Sequence, residues 1–239
     1  MVDVESEGGV TRIFLNRPEK VNALDSVLLT GLEAAFRDLS QTPNVRVVVL
    51  GGRGKAFCGG ADVQELAALD ASNAGGFVQK IHAVCEAIRA LPVPVLARLH
   101  GAVIGAGLEI AAACDLRIAA EGTRFSMPEV RLGIPSVVEA ALLPRLMGSG
   151  RAAWLVLTGE ALDARHAYEW GLVEQIGGDD AVVALINNLM KSDPEALRMQ
   201  KQLLQLWEEA PLATSIEKSI ALFARSKNRG QSPISGTRS

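Results

Sequence analysis

Cysteine is scarce in this chain, and its placement excludes two roles. Cys58, Cys85 and Cys114 are odd in number and show no CxxC spacing, which argues against a disulfide framework and a cysteine-rich zinc site and points to a reducing compartment. Histidine supplies no ligand set either: His82, His100 and His166 have no metal spacing and read as structural, so no metal is expected. Positive charge is not in excess. A formal net charge of -3 and a pI near 5.7 give no attraction to nucleic acid or anionic lipid. No uninterrupted apolar run is long enough to span a bilayer. The start, MVDVESEGGV, lacks the basic-then-apolar pattern of a signal peptide and is too acidic for a mitochondrial transit segment. The expectation is a cytoplasmic protein, or the mature part of an imported one, with neither nucleic acid nor membrane as partner.

What is present is a globular composition, 49% apolar and 21% charged, in 239 residues, enough for one sizeable core or two unequal lobes. TRIFLN and VRVVVLGG read as strands, with the amphipathic helix SVLLTGLEAAFRDLS between them, an order that favours parallel pairing. KAFCGGADVQELAAL bends through two glycines into a helix opened by Asp62. FVQKIHAVCEAIRAL is a helix ended by Pro92, PVPVLARLHG a strand, GLEIAAACD a helix and LRIAAEGTRFSM two short extended pieces. From Ser136 the chain reads as helix after helix: SVVEAALLPRLMG, GRAAWLVLTG, DARHAYEWGLV, AVVALINNLMK, PEALRMQKQLLQLWEEA and TSIEKSIALFARS. An α/β core to about residue 190, followed by a helical region over 191–239, is therefore expected. The helices after Pro194 lie beyond the αβ alternation and are candidates for packing on a neighbouring subunit. The polar end KNRGQSPISGTRS reads as frayed. Trp154, Trp170 and Trp207 fall on helical faces and read as core or interface packing.

HGAVIGAGLEIAAACD (His100–Asp115) contains a Gly-Ala-Gly turn between an apolar run and a helix. As a dinucleotide fingerprint it fails. Ile110 stands where a small residue must let helix and strand approach, and Glu109 would set a carboxylate against the pyrophosphate. Small residues at such a turn also suit backbone N–H groups aimed at a developing oxyanion, which needs a second donor. AFCGGAD has the same grammar, with small residues at a strand end and a helix starting at an aspartate.

AFCGGAD, HGAVIGAGLEIAAACD and FSMPEVRLGIP, in that order, resemble the signature of the crotonase, or enoyl-CoA hydratase/isomerase, superfamily. The likeness begins with LNRPEKVNAL and runs through LTGEALDARHAYEWGLVEQI, from about Val10 to Ile176. It implies a crotonase-like ββα spiral core with a helical C-terminal region that takes part in trimerisation, giving a homotrimer or dimer of trimers. It further implies a coenzyme A thioester as substrate, with no cofactor beyond the coenzyme A that the substrate carries. The thioester oxygen would sit between the backbone N–H groups of Ala61 and Ala106, which meet the enolate charge without reorganisation. Glu109 and Glu129 match the two acids of the hydratases: by analogy, Glu109 activates water and Glu129 delivers a proton to the α-carbon. Isomerases of the superfamily can work with one acid at the Glu129 position, so the presence of both favours an enoyl-CoA hydratase. An isomerase or lyase of the same superfamily is the alternative, and a catalytically inactive scaffold is the reading from a different class.

Coenzyme A recognition is expected from Lys20, Val21 and Ala23 of the LNRPEKVNAL loop, from the helix start Ala61, Asp62, Val63 and Gln64, and from Ala106, Pro128 and Gly133 near the acids. Lys20 or Lys55 would approach phosphate, although exposed lysines beside turns are common, and the alternative for Asp62 is that it only opens its helix. The chain departs from the family after Glu129, where a glycine-rich run is usual: here it reads LGIPSVVEAALLPRL, one residue shorter before Pro135. Val137 and Val138 would narrow or reshape an acyl pocket. Glu139 is either a third acid or part of the S-x-x-E capping box that Ser136 opens, and the box is favoured because it explains both residues.

Overall fold

The computed structural model describes residues 1–228. Strands β1 (Val2–Glu7) and β2 (Val10–Leu15) form an antiparallel pair. Helix α1 (Ser26–Ser40) then leads to β3 (Val47–Gly52), which lies parallel to β2 with Val10 opposite Val47, as the strand–helix–strand pattern requires. Asp25 starts α1 by accepting the Leu28 N–H at 2.7 Å. Helices α2 (Val63–Ala67) and α3 (Ala74–Ala90) precede β4 (Val95–Leu99). Next come β5 (Ala102–Ile104), α4 (Ala106–Ala113), β6 (Leu116–Ala119) and β7 (Arg124–Ser126). After two 3-10 turns, Glu129–Leu132 and Val138–Leu142, come α5 (Leu143–Met147), α6 (Ser149–Thr158), β8 (Leu162–Asp163), α7 (Ala164–Glu169), β9 (Gln175–Ile176) and α8 (Asp179–Met190).

The strands make a six-stranded sheet ordered β1-β2-β3-β4-β6-β9, parallel except at the β1 edge, and a three-stranded sheet ordered β5-β7-β8. Every residue of β3 is buried, because both faces of the large sheet are covered. Val48 and Leu50 face the main core with α1, α3 and α4, while Val47 and Val49 pack against Ala181, Val182 and Ile186 of α8 on the other face. The small sheet carries β5 into α4, and this junction builds the candidate site.

The chain forms two compact units, one of Met1–Met190 and a second from Lys191 onward. The second unit pairs α9 (Pro194–Glu209) with α10 (Leu212–Asn228), joined by the Trp207 indole N–H donating to Ser219 Oγ at 3.0 Å. Residues 229–239, most of the stretch expected to fray, lie outside the described residues. No described helix is long and apolar enough to cross a membrane.

One strand was unforeseen and one expectation needs correction. Strand β1 was not visible in the opening MVDVESE, whose acids give no apolar alternation. It is a mostly exposed edge strand whose Asp3 receives the Asn16 amide (3.0 Å) and Arg53 (3.2 Å), the guanidinium lying 3.7 Å from the centre of the Phe14 ring. SVVEAALLPRLMG is not one helix but a 3-10 turn passing into the short α5, with Pro144 at the start of that helix.

Candidate active site

The two small-residue turns meet. Past β3, Cys58 bridges to β5: its N–H donates to Ala102 O and its carbonyl accepts the Ile104 N–H, both at 3.0 Å. On the opposite side, the Leu24 N–H donates to Gly60 O and the Asp62 N–H to Leu24 O, both at 2.8 Å. Ala61 lies between these two anchors, and among the described residues its N–H has no protein acceptor. At the end of β5, Gly105 adopts φ +53° and ψ −124°, a backbone conformation that requires glycine. Its N–H is held by Ser126 O at 2.9 Å, and its carbonyl accepts the Leu108 and Glu109 N–H groups. Helix α4 begins with Ala106, whose N–H is one of the orphan donors of a helix start. A Cβ at Gly107 would stand 2.6 Å from Cys58 Cβ, so glycine lets α4 close onto the first turn. Burial pushes the Cys58 thiol up to about 12, which leaves it inert as a nucleophile.

The carboxyl groups of Glu109 and Glu129 both converge on this junction. Glu109, in the first turn of α4, is 4% exposed. Burial first, and then the charges of Glu129 and Glu139, raise its pKa to about 8, against the pull of hydrogen bonds from the Val137 and Ala140 backbone. Glu129 opens a 3-10 turn after Pro128, and its Oε1 lies so near Gly105 that a Cβ there would approach within 2.4 Å. Glu129 Oε2 accepts the Ser136 hydroxyl at 2.9 Å.

That bond overturns the expected capping box. The 3-10 turn Val138–Leu142 has Val137 at its N-cap and no side-chain cap, so Ser136 does not start it. Glu139 turns inward, is 7% exposed, and accepts His82 Nδ1–H of α3 at 2.7 Å. The physical reason is that both side chains find partners outside the segment: Ser136 Oγ donates to Glu129 and the Glu139 carboxyl meets His82 of α3, so neither caps the turn, whose Ala140 N–H returns to Val137 O. Sequence spacing alone cannot register a carboxylate that arrives from another helix.

The residues expected around coenzyme A fall into two places. Lys20, Val21 and Ala23 stand next to the helix start Ala61–Gln64, because the Gly59 N–H donates to Val21 O at 2.8 Å and Leu24 bridges Ala61. Val63 is 76% exposed; Lys20, Gln64 and Lys55 also point to solvent. Pro128 adjoins Glu129, while Gly133, at φ +78°, is exposed on the turn beyond it. Asp62 caps α2 through Gln64 N–H at 2.8 Å and also takes Arg17 Nη1 at 2.5 Å; this pairing holds its carboxyl below the usual range. Arg17 and Asn22 were not singled out from the sequence. Arg17 donates to Ala23 O as well, at 3.1 Å. Buried Asn22 ties the loop to residues 53–57 by donating to Arg53 O, Ala56 O and Phe57 O while accepting the Arg17 N–H. Both stand in the LNRPEKVNAL motif itself, where a buried Asn beside a proline turn is the only signal.

A family model described as enoyl-CoA hydratase/isomerase matches residues 5–235. The enoyl-CoA isomerase/hydratase fer4 of Mycosarcoma maydis is 33% identical in an alignment of 229 positions that covers 90% of this chain and 84% of that protein. The mitochondrial enoyl-CoA hydratase domain-containing protein 2 of Mus musculus is also 33% identical, over 91% of this chain and 77% of its own length. Among solved structures, an enoyl-CoA hydratase of Mycobacterium smegmatis superposes with a TM-score of 0.92 at 30% identity, covering 97% of this chain and 91% of that one.

Proposed function

The chain belongs to the enoyl-CoA hydratase/isomerase family, and from that premise we propose that it adds water across the double bond of a 2-enoyl-CoA thioester. The observation that carries this reading is the convergence of two unpartnered backbone N–H groups, at Ala61 and Ala106, with two carboxyl groups, Glu109 and Glu129. The thioester carbonyl accepts both N–H groups, which stabilise the charge that reaches its oxygen when the β-carbon is attacked. A water between the acids gives its proton to Glu109 as its oxygen bonds the β-carbon. Glu129 then protonates the α-carbon, the enolate collapses, and the single proton of the pair has moved from Glu129 to Glu109. Its return to Glu129 resets the site. With its raised pKa Glu109 holds a proton near neutral pH in the free protein, so the cycle begins once that proton has passed to Glu129. Coenzyme A enters as part of the substrate, and no step calls for a further cofactor.

The loop around Lys20–Ala23 and the start of α2 would hold the coenzyme A portion, largely through backbone groups. We place the protein in the cytoplasm, since its three buried free thiols suit a reducing compartment, and assemble it as a homotrimer or dimer of trimers. Ultraviolet absorbance of an unsaturated thioester tests the reaction: hydration of a 2-enoyl-CoA removes the conjugated band. An isomerase would instead create that band from a 3-enoyl-CoA, and a scaffold would leave both substrates untouched.

A further inference from the structure

The segment Ser136–Ala140 serves three carboxyl groups at once. Ser136 donates to Glu129, the Val137 and Ala140 backbone hydrogen-bonds Glu109, and Glu139 is joined to His82 on α3. We propose that Glu139 is a positioning residue for the chemistry at Glu109: anchored by His82, it fixes the turn that grips the Glu109 carboxyl and sets a third negative charge beside the reacting pair. The inference rests on the hydratase reading above.

Stability alone does not account for this arrangement. Glu139 is buried, and its Oε2 has no nitrogen or oxygen donor among the described residues, which costs free energy. Its neighbour Val138 holds φ +40°, an unfavourable conformation for a β-branched residue. Two costly features side by side, on the segment that touches both acids, match the pattern in which local rules are broken at working sites. The groups facing Glu109 are Glu129, Glu139 and Cys85 of α3. The Cys85 thiol is raised by burial and then by the charges of Glu139 and Glu109. His82, half-exposed at the far end of Glu139, joins the group to solvent. With Glu139 in place, the pair Glu109–Glu129 keeps its shared proton to higher pH, where hydration still needs it.

Glu139→Gln separates charge from shape, since the amide oxygen still accepts from His82. In the ligand-free protein, the Glu109 carboxyl is followed by infrared titration with 13C-labelled glutamate and assigned by its loss in Glu109→Gln. The expected result is a shift of that titration to lower pH by about one unit. The alkaline limb of kcat/KM for hydration moves the same way, with KM unchanged within about twofold. A Glu109 titration that stays in place overturns the proposal. His82→Ala, at a half-exposed position that tolerates truncation, gives a second arm: kcat falls about tenfold with KM nearly constant, and an unchanged kcat overturns the anchoring role. If the wild-type protein does not hydrate 2-enoyl thioesters, the hydratase reading fails, while the ligand-free titration still decides the coupling of Glu139 to Glu109.

Discussion

Ser136 Oγ stands 2.9 Å from Glu129 Oε2, donating its hydroxyl proton to the carboxyl group proposed to protonate the α-carbon. Sequence spacing had assigned that serine to a helix cap, and the two roles predict opposite outcomes for Ser136→Ala. A lost cap costs about 0.5–2 kcal/mol of stability and leaves turnover alone. A lost bond to Glu129 lets the carboxyl swing, which reduces kcat by about tenfold if one charge-assisted hydrogen bond is removed. We expect the second outcome, with the melting temperature within about two degrees of wild type. Thermal melts and initial rates on one preparation decide between them.

Gly105 joins the two halves of the site, since its backbone shapes the Ala106 turn and its α-carbon faces Glu129 Oε1. Gly105→Ala would put a methyl 2.4 Å from that oxygen at φ +53°, where a side chain is strained. The expected outcome is a loss of kcat/KM of about 10²-fold or more, the scale of a disrupted oxyanion donor. Binding of coenzyme A itself, measured by calorimetry, should change little. Full activity in this variant would remove Gly105 from any part in placing Ala106 and Glu129.

Local signals explain which parts of this molecule can be read from sequence. Helix α1 was expected over Ser26–Ser40 and occupies that range, because its apolar spacing and the Asp25 cap lie within one segment. The two glycine turns were likewise legible, each being a local backbone requirement. What failed depended on partners remote in sequence, except at strand β1, which pairs with the adjacent β2 across Gly8-Gly9 and was missed because its acidic residues hide a local hairpin. The 136–140 turn is held by Glu129 and His82, so its own residues give no sign of its conformation. Asn22 belongs to the same class: its buried amide answers carbonyls more than thirty residues away.

Assembly is open to a direct test at α10. Leu212, Ile216, Ile220 and Phe223 follow one another at helical spacing and are 77%, 52%, 66% and 64% exposed. A continuous apolar stripe of this kind needs a partner. Sedimentation at micromolar concentration should give a trimer or a multiple of it, and Ile216→Glu combined with Ile220→Glu should shift the mass toward the monomer. A fully active wild-type monomer would exclude the proposed trimer.

Titration of Glu109 carries a stability consequence of unusual sign for a carboxyl group. Its folded-state pKa lies near 8, above the ordinary carboxylate range, so between about pH 4.5 and 8 this side chain holds a proton in the folded protein that it loses in the unfolded chain. The contribution of Glu109 to stability therefore falls as pH rises through that window. Glu109→Gln removes the titration, and its melting temperature should gain on that of the wild type from pH 5 to pH 8. A difference that is constant across the window would show that Glu109 ionises normally.

The same pair of acids separates hydration from isomerisation. Glutamine in place of either glutamate keeps shape and hydrogen bonding but cannot exchange the proton. Glu129→Gln should abolish both reactions, because each moves a proton at carbon. Glu109→Gln should slow hydration by about 10²–10⁴-fold, the scale of a lost acid–base group, since water then lacks its base. An isomerase working through Glu129 alone would tolerate that change. Hydration has no net proton in its equation, so the ratio of forward to reverse kcat/KM is fixed by an equilibrium constant that does not depend on pH. Hydration and dehydration must then share one profile, falling together above about pH 8 as the pair loses its proton. Both variants are to be assayed on 2-enoyl-CoA and 3-enoyl-CoA substrates, after confirming that each binds coenzyme A and keeps its oligomeric state. Retention of most hydratase turnover by Glu109→Gln would end the two-carboxylate mechanism and leave the family assignment intact.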